Sequence, residues 1–154
     1  MTGVQTCALP IFIAYTDDPL HALWPQLETA TALEIPVPGE VRISPRWYLH
    51  TSRQTDFEPD PSTYAAQVDA AKITGQLILD RVRPGDRFAP YGYDGHTKKV
   101  GDFWTSEGLP ARARKNWPLV RMGEEIIWIP GFRIADCVKV EESTKEIIRM
   151  VMKK

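Results

Sequence analysis

The sequence predicts an α+β domain that is rich in short β-strands and contains two short helices. Two features of the chain support this fold class. Short apolar runs alternate with turn residues, and 13 prolines among 154 residues favour many short elements joined by turns. One stretch, Lys98–Thr105, instead has the spacing of a helix. A hydrophobic content of 43% and a charged content of 25% are typical of a globular protein with a buried core.

The first half of the chain predicts one interrupted helix followed by strands. Asp18–Ala32 favours a short helix that Pro25 interrupts. Pro38–Gly39 predicts a turn, and the acidic, proline-bearing loop Asp56–Pro61 is the best internal boundary. The predicted strands of this half are Leu33–Val37, Val41–Ile43, Trp47–Ser52, Tyr64–Val68 and Leu77–Val82.

The second half begins with a turn and a helix. Arg83-Pro84-Gly85-Asp86 has proline and glycine where a type II turn requires them. In Lys98–Thr105 the side chains of Val100, Phe103 and Trp104 share one helical face, and Lys98 and Lys99 are expected in the first turn. Pro110 favours the start of a second short helix, because proline suits the first helical position. The remaining predicted elements are strands at Trp117–Val120, Glu125–Ile129 and Cys137–Val140, and a strand or short helix at Ile147–Met152.

Positive charge is concentrated in one segment, Arg81–Arg121. It holds nine lysines and arginines against four acids, whereas the whole chain has a formal charge of −1. Aromatic residues are interleaved with the basic ones, a mixture that suits a phosphate backbone. The candidate phosphate-contacting residues are Arg83, Arg87, His96, Lys98, Lys99, Arg112, Arg114 and Lys115. The alternative interpretation is a solvated face with internal ion pairs.

Other conspicuous residues have structural interpretations. Phe103, Trp104, Trp128 and Ile129 are predicted to lie in the core, whereas Tyr91 and Tyr93 flank Gly92 in an exposed loop. Two carboxylates, Asp86 and Asp102, could serve acid/base chemistry, but they are expected to brace turns or to pair with arginines.

Several motifs of catalytic and metal sites are missing from the sequence. It contains no G-x-x-x-x-G-K-[ST] loop, no S-G-G-x-D-S loop, no H-E-x-x-H and no C-x-x-C. We therefore expect neither nucleotide chemistry nor a zinc site in this chain, and no cofactor. The two cysteines, Cys7 and Cys137, do not predict a disulfide framework, which is compatible with the cytoplasm. No apolar run approaches the length of a membrane span.

Three blocks, RPGDRF, GHTKKVGDFW and EEIIWIPGFRI, occur in an order that resembles the C-terminal domain of bacterial tRNA(Ile)-lysidine synthetase. The resemblance runs from about Leu77 to Met152 and extends more weakly back to Leu33. It implies a layered β-sandwich that helps to hold tRNA. In this family an N-terminal PP-loop domain uses ATP and Mg²⁺ to adenylate the wobble cytidine, and lysine then displaces AMP.

The resemblance also implies a division of the chain. Thr2–Ile11 resembles one reading frame of a sequencing-adapter oligonucleotide, so residues 1–11 are expected to be foreign to the fold. Residues 12–75 would be a remnant of the preceding domain with linking strands, and residues 76–154 the tRNA-binding domain. The expected protein is the tRNA-binding portion of a synthetase whose catalytic domain is missing. The alternatives are a stand-alone β-rich module that binds RNA or protein, and a small enzyme that uses Asp86 and Asp102.

Overall fold

The computed structural model describes residues 23–154, so the expectations for residues 1–11 and for the start of the Asp18–Ala32 helix lie outside it. Helix α1 spans Val100–Glu107, and three single-turn 3₁₀ helices span Ala70–Lys72, Ala111–Ala113 and Asp136–Val138. The strands are β1 (Leu33–Glu34), β2 (Gly39–Arg42), β3 (Tyr48–Gln54), β4 (Ala65–Asp69), β5 (Leu77–Asp80), β6 (Arg87–Phe88), β7 (Lys98–Lys99), β8 (Leu119–Met122), β9 (Glu125–Trp128) and β10 (Ile147–Lys153).

These strands form two four-stranded sheets and one two-stranded ribbon. The first sheet has the order β1-β5-β8-β9, the second has the order β2-β3-β10-β4, and β6 pairs with β7. All of these pairs are antiparallel. Strand β10 lies inside the second sheet, where it pairs with β3 over its full length and with β4 on its other side.

One cluster of buried side chains joins both sheets and α1. Leu79 and Ile127 enter it from the first sheet, and Leu49 and Met150 enter it from the second. Phe103 and Trp104 cover it from α1, with at most 1% of their surface exposed. Burial of this kind supplies about 25 cal/mol per Å² of apolar surface. The predicted α+β class with β-rich layers is confirmed, as is the predicted burial of these aromatic side chains and of Trp128 and Ile129.

The turn before the ribbon has the predicted form. Gly85 adopts a φ of 81°, which suits the third position of a type II turn, and the N–H of Asp86 donates to the carbonyl of Arg83 at 3.1 Å. A side chain at Gly85 would be strained in this conformation. The turn therefore reverses the chain between β5 and β6.

Three predicted elements differ in the structure. The helix predicted at Asp18–Ala32 is absent from residues 25–32, because the N–H groups of Leu27 and Glu28 donate to the carbonyls of Asn116 and Ile43 instead of within a helix. The second helix is only the single 3₁₀ turn Ala111–Ala113, because the chain leads directly into Trp117, which is buried and donates to the carbonyl of Pro130 at 2.9 Å. The strand predicted at Cys137–Val140 is wrong. The N–H of Ala135 is bound to Ile127 and that of Asp136 to Ala89, and the chain then turns in a 3₁₀ helix.

Strands from both sides of the predicted division at residues 75 and 76 share the two sheets. β1 pairs with β5, and β10 pairs with β3 and β4. The division falls between β4 and β5, where the resemblance implied a domain boundary but gave no information on strand pairing. Residues between Leu27 and Met152 therefore contribute to one hydrophobic core.

Candidate nucleic-acid interface

The ribbon of β6 and β7 presents two cations side by side. Arg87 lies directly opposite Lys99, and Phe88 lies opposite Lys98. Phe88 is buried and contacts Phe103 of α1 edge to face, with ring centroids 5.1 Å apart. Because side chains alternate along a strand, this contact turns Arg87 and Lys99 toward solvent, where both are exposed.

The position of the two lysines corrects the sequence prediction. Lys98 and Lys99 do not lie in the first turn of α1 but in β7, and Lys99 is the extended residue that precedes the helix. The N–H of Val100, the first helical residue, donates to the carbonyl of Asp86 at 3.1 Å. Cations are unfavourable at the positive N-terminal end of a helix dipole. Strand pairing places Lys98 and Lys99 before the first turn of α1. This N–H group is therefore used by the fold and is not offered to a phosphate.

Arg87 and Lys99 carry charge that the fold does not neutralise. Among the described residues, neither forms an ion pair with a carboxylate, and the guanidinium of Arg87 contacts only Thr97, with Nη2 3.3 Å from Oγ1. Like charges directly opposite each other on a ribbon are destabilising. An anion bound between them would relieve this repulsion.

The loop between β6 and β7 extends this positive surface. The ring centroid of Tyr93 is 5.4 Å from Nζ of Lys98 and 5.6 Å from Cζ of Arg133. His96 is exposed in the same loop. We use the name ribbon face for the basic surface of the ribbon and its loop, which comprises Arg87 and Lys99 on one side of the ribbon and Tyr93, His96, Lys98 and Arg133 around the loop.

Arg133 is a basic residue of this surface that the charge pattern of the sequence does not predict. It lies in the block EEIIWIPGFRI but beyond the basic segment Arg81–Arg121. The backbone N–H of Tyr91 donates to the carbonyl of Ile134 at 2.9 Å, and Nη1 of Arg133 donates to the carbonyl of Tyr91 at 3.4 Å, so the two loops lie together. Only this long-range pairing places Arg133 beside Tyr93, and no local sequence signal predicts it.

Two of the predicted site residues have internal contacts. Arg83 is bound to Asp80 through Nη2 at 2.6 Å and to Glu124 through Nη1 at 2.8 Å. The hydrogen bond to Asp80 raises the pKa of Arg83. Arg114 donates to the carbonyl of Leu109 and to the hydroxyl of Thr105, and so joins the end of α1 to the following turn. These contacts favour the alternative of internal pairing for Arg83 and a packing role for Arg114.

Arg112 and Lys115 lie on the segment that surrounds Arg114. The guanidinium carbon of Arg112 is 5.7 Å from the ring centroid of Trp24, and Lys115 is exposed. The ribbon face therefore collects four of the eight predicted residues, namely Arg87, His96, Lys98 and Lys99.

Beneath the ribbon, a buried arginine binds the two carboxylates nearest to it. Arg121 is fully buried, and its Nη1 donates to Oδ1 of Asp86 at 3.1 Å. Its Nε is 3.6 Å from Oδ2 of Asp80. Burial alone would raise the pKa of Asp80, but hydrogen bonds from the Arg81 backbone and the Arg83 side chain hold it below its ordinary value.

The expected role of Asp86 is confirmed, because it pairs with Arg121 and also accepts the backbone N–H of Arg83 at 2.6 Å. Asp102 is exposed in the first turn of α1, where a negative charge suits the helix dipole. These positions do not support an acid/base pair. Within residues 23–154, no group of three His, Cys, Asp or Glu side chains is placed to hold a metal ion. The described helices are also too short to cross a bilayer.

Comparison with known proteins gives one consistent family. Residues 77–151 match the family described as the TilS substrate C-terminal domain. The tRNA(Ile)-lysidine synthase of Caldanaerobacter subterraneus subsp. tengcongensis is 36% identical over 102 residues, which cover 66% of this chain and 21% of that protein. The enzyme of the same name from Clostridium tetani is 37% identical over 87 residues, which cover 56% of this chain and 18% of that protein.

The chain thus spans about a fifth of the length of these relatives. A solved structure described as the crystal structure of the TilS C-terminal domain shares the fold, with a TM-score of 0.71 at 22% identity. The match covers 80% of this chain and 95% of that one, so the common fold includes strands that precede residue 77. Residues 77–151 therefore belong to the family of C-terminal domains found in tRNA(Ile)-lysidine synthases.

Proposed function

We propose that this domain binds tRNA through the ribbon face and thereby helps to position it for attachment of lysine to the wobble cytidine. The observation that carries the proposal is the pair Arg87 and Lys99, which lie opposite each other, exposed and without a carboxylate partner among the described residues. The names of the related proteins give the class of RNA. ATP-dependent activation of the cytidine would be carried out by a catalytic domain of the synthase.

The chemistry of the ribbon face suits the backbone of a duplex better than its bases. Guanidinium and ammonium groups bind phosphate oxygens without reading sequence. The deep, narrow major groove of duplex RNA hides the base edges from side chains, so proteins read its shape, phosphates and 2′-hydroxyls. The ribbon face would therefore orient the tRNA and leave the choice of base to other contacts.

Salt dependence of tRNA affinity tests this proposal. Each lost phosphate contact should reduce the slope of log affinity against log salt by roughly 0.7–0.9. The double variant Arg87→Ala/Lys99→Ala should bind several tRNAs more weakly by a similar factor, and its slope should be shallower by about 1.4–1.8. Filter binding or fluorescence anisotropy at several salt concentrations measures both quantities.

A matched control is Arg46→Ala/Lys145→Ala, which removes two exposed cations outside the ribbon face. The salt slope of this control should differ from that of the parent by less than about 0.4, which is half the value of one phosphate contact. If the Arg87/Lys99 variant is folded and keeps both the affinity and the slope of the parent, the ribbon face does not bind tRNA.

A further inference from the structure

Next to the ribbon face lies a small groove with unusual side chains. Its volume is about 250 Å³, and its walls include Phe57, Tyr91, Trp128, Phe132 and Arg133, which we call the aromatic groove. Leu23, Phe57 and Tyr91 are the large hydrophobic side chains that are strongly exposed within residues 23–154, and two of these three line this groove. Exposed aromatic rings that gather in one concavity are typical of a binding site.

The backbone at the two exposed rings is fixed by hydrogen bonds. Asp56 and Glu58, the neighbours of Phe57, are both anchored, since the carbonyl of Asp56 accepts from Gln54 at 2.9 Å and the N–H of Glu58 donates to Gln67 at 3.0 Å. The N–H of Tyr91 donates to the carbonyl of Ile134 at 2.9 Å. The backbone that carries the two rings therefore needs little ordering when a ligand binds, which reduces the entropic cost of binding.

Arg133 connects the aromatic groove to the ribbon face. It lines the groove, its Nη1 donates to the carbonyl of Tyr91 at 3.4 Å, and its guanidinium lies against the ring of Tyr93. Lys98 contacts the same ring. An RNA backbone on the ribbon face would thus lie next to the groove, separated from it only by the side chain of Arg133.

The carboxylates near the aromatic groove do not prevent an anion from binding there. Asp60 lines the groove, but its Oδ2 is bound by Nη2 of Arg149 at 2.6 Å. Glu58 lies 3.9 Å from Nη1 of the same arginine. Among the described residues Arg133 forms no ion pair with a carboxylate, so the cation at the rim remains available.

We infer that the aromatic groove binds one unpaired nucleotide of the RNA, with its base stacked against Phe57 and Tyr91 and its phosphate facing Arg133. The inference rests on the proposed function, since it places the RNA backbone on the ribbon face. The volume suits a single planar ring system, because sites for drug-sized ligands usually have about 300–1,000 Å³. Aromatic side chains stack with any base, so the groove should recognise an unpaired nucleotide more than a particular sequence.

The test uses two RNAs that share one duplex. One is blunt, and the other carries a single-stranded 3′ extension with a 2-aminopurine, whose fluorescence changes on stacking. The parent chain should bind the extended RNA more tightly and change its fluorescence. Phe57→Ala and Tyr91→Ala should each weaken binding of the extended RNA by about five- to 100-fold, leave the blunt RNA unaffected and abolish the fluorescence change.

Two control variants keep the test specific. Tyr91→Phe should retain the parent affinity because it retains the ring, and Leu23→Ala removes an exposed apolar side chain that does not line the groove. If the folded Phe57→Ala and Tyr91→Ala variants bind the extended RNA like the parent, the groove does not hold a nucleotide. If Arg87→Ala/Lys99→Ala still weakens both RNAs in that case, the proposed function survives. If the parent binds neither RNA, both proposals fail.

Discussion

Arg121 shows how a basic residue in a basic segment can belong to the core. It is fully buried, and its charge is matched by Asp86 and Asp80. A buried guanidinium loses its hydration, and the paired carboxylates offset that cost only while the geometry is kept. Asp86 has a second role, because it also binds the backbone N–H of Arg83 in the turn before the ribbon. The pair therefore joins β8 to the turn that positions the ribbon face.

Replacing Asp86 with alanine should be strongly destabilising. The change leaves the buried Arg121 with the carbonyl of Arg81 and the longer contact to the Asp80 carboxylate, and removal of one partner from a buried pair costs about 3–5 kcal/mol. Urea denaturation followed by tryptophan fluorescence measures the free energy of unfolding. Asp102→Ala is the control, since Asp102 is exposed on α1 and its loss should cost less than about 1 kcal/mol. Equal stability of the two variants would contradict the role of the buried pair.

At the scale of elements, the sequence predicts those elements that local signals specify. The type II turn at Arg83–Asp86 and the helix carrying Val100, Phe103 and Trp104 depend on residues close in sequence, and both are present. β6 and β7 have two residues each, too few for a periodic pattern, and were missed. Their pairing depends on Phe88 packing against Phe103, a contact between separate elements.

The same distinction explains the candidate site. Four of the eight predicted basic residues lie on the ribbon face, because they belong to the two strands of the ribbon and to the loop that joins them. Charge alone could not distinguish Arg83, which pairs with Asp80 and Glu124, from Arg87, which pairs with neither. Arg133 was missed for the opposite reason, since its neighbours in space are distant in sequence.

Helix α1 depends on its buried aromatic face, and Trp104 is the largest side chain on it. Trp104→Ala should cost about 3–5 kcal/mol, the usual range for an aromatic removed from a packed core. The control Glu107→Ala, at the exposed end of the same helix, should change stability by less than about 0.5 kcal/mol. Chemical denaturation compares the two. A Trp104 variant that is as stable as the parent but binds RNA less tightly would show that this ring stacks on RNA.

At the scale of the whole molecule, β10 is the strand on which the second sheet depends. It provides hydrogen-bonding partners to β3 and β4, which do not pair with each other. Removing residues 147–154 should therefore abolish cooperative unfolding, because two strands lose their partner and the core loses Ile148, Met150 and Met152. Removing Lys154 alone, an exposed residue, should preserve the transition. Thermal denaturation followed by circular dichroism distinguishes the two, and cooperative melting of the longer truncation would contradict this view.

The central place of β10 also has a consequence for synthesis on the ribosome. β4 emerges early, but its partner β10 emerges only after the intervening residues 70–146, including the whole ribbon and helix α1. Until then the nascent chain exposes an unpaired strand edge, which is the kind of surface that aggregates or recruits chaperones. We expect the second sheet to close late in synthesis, so codon changes that slow translation between residues 70 and 146 should lower the soluble yield without changing the protein that is made.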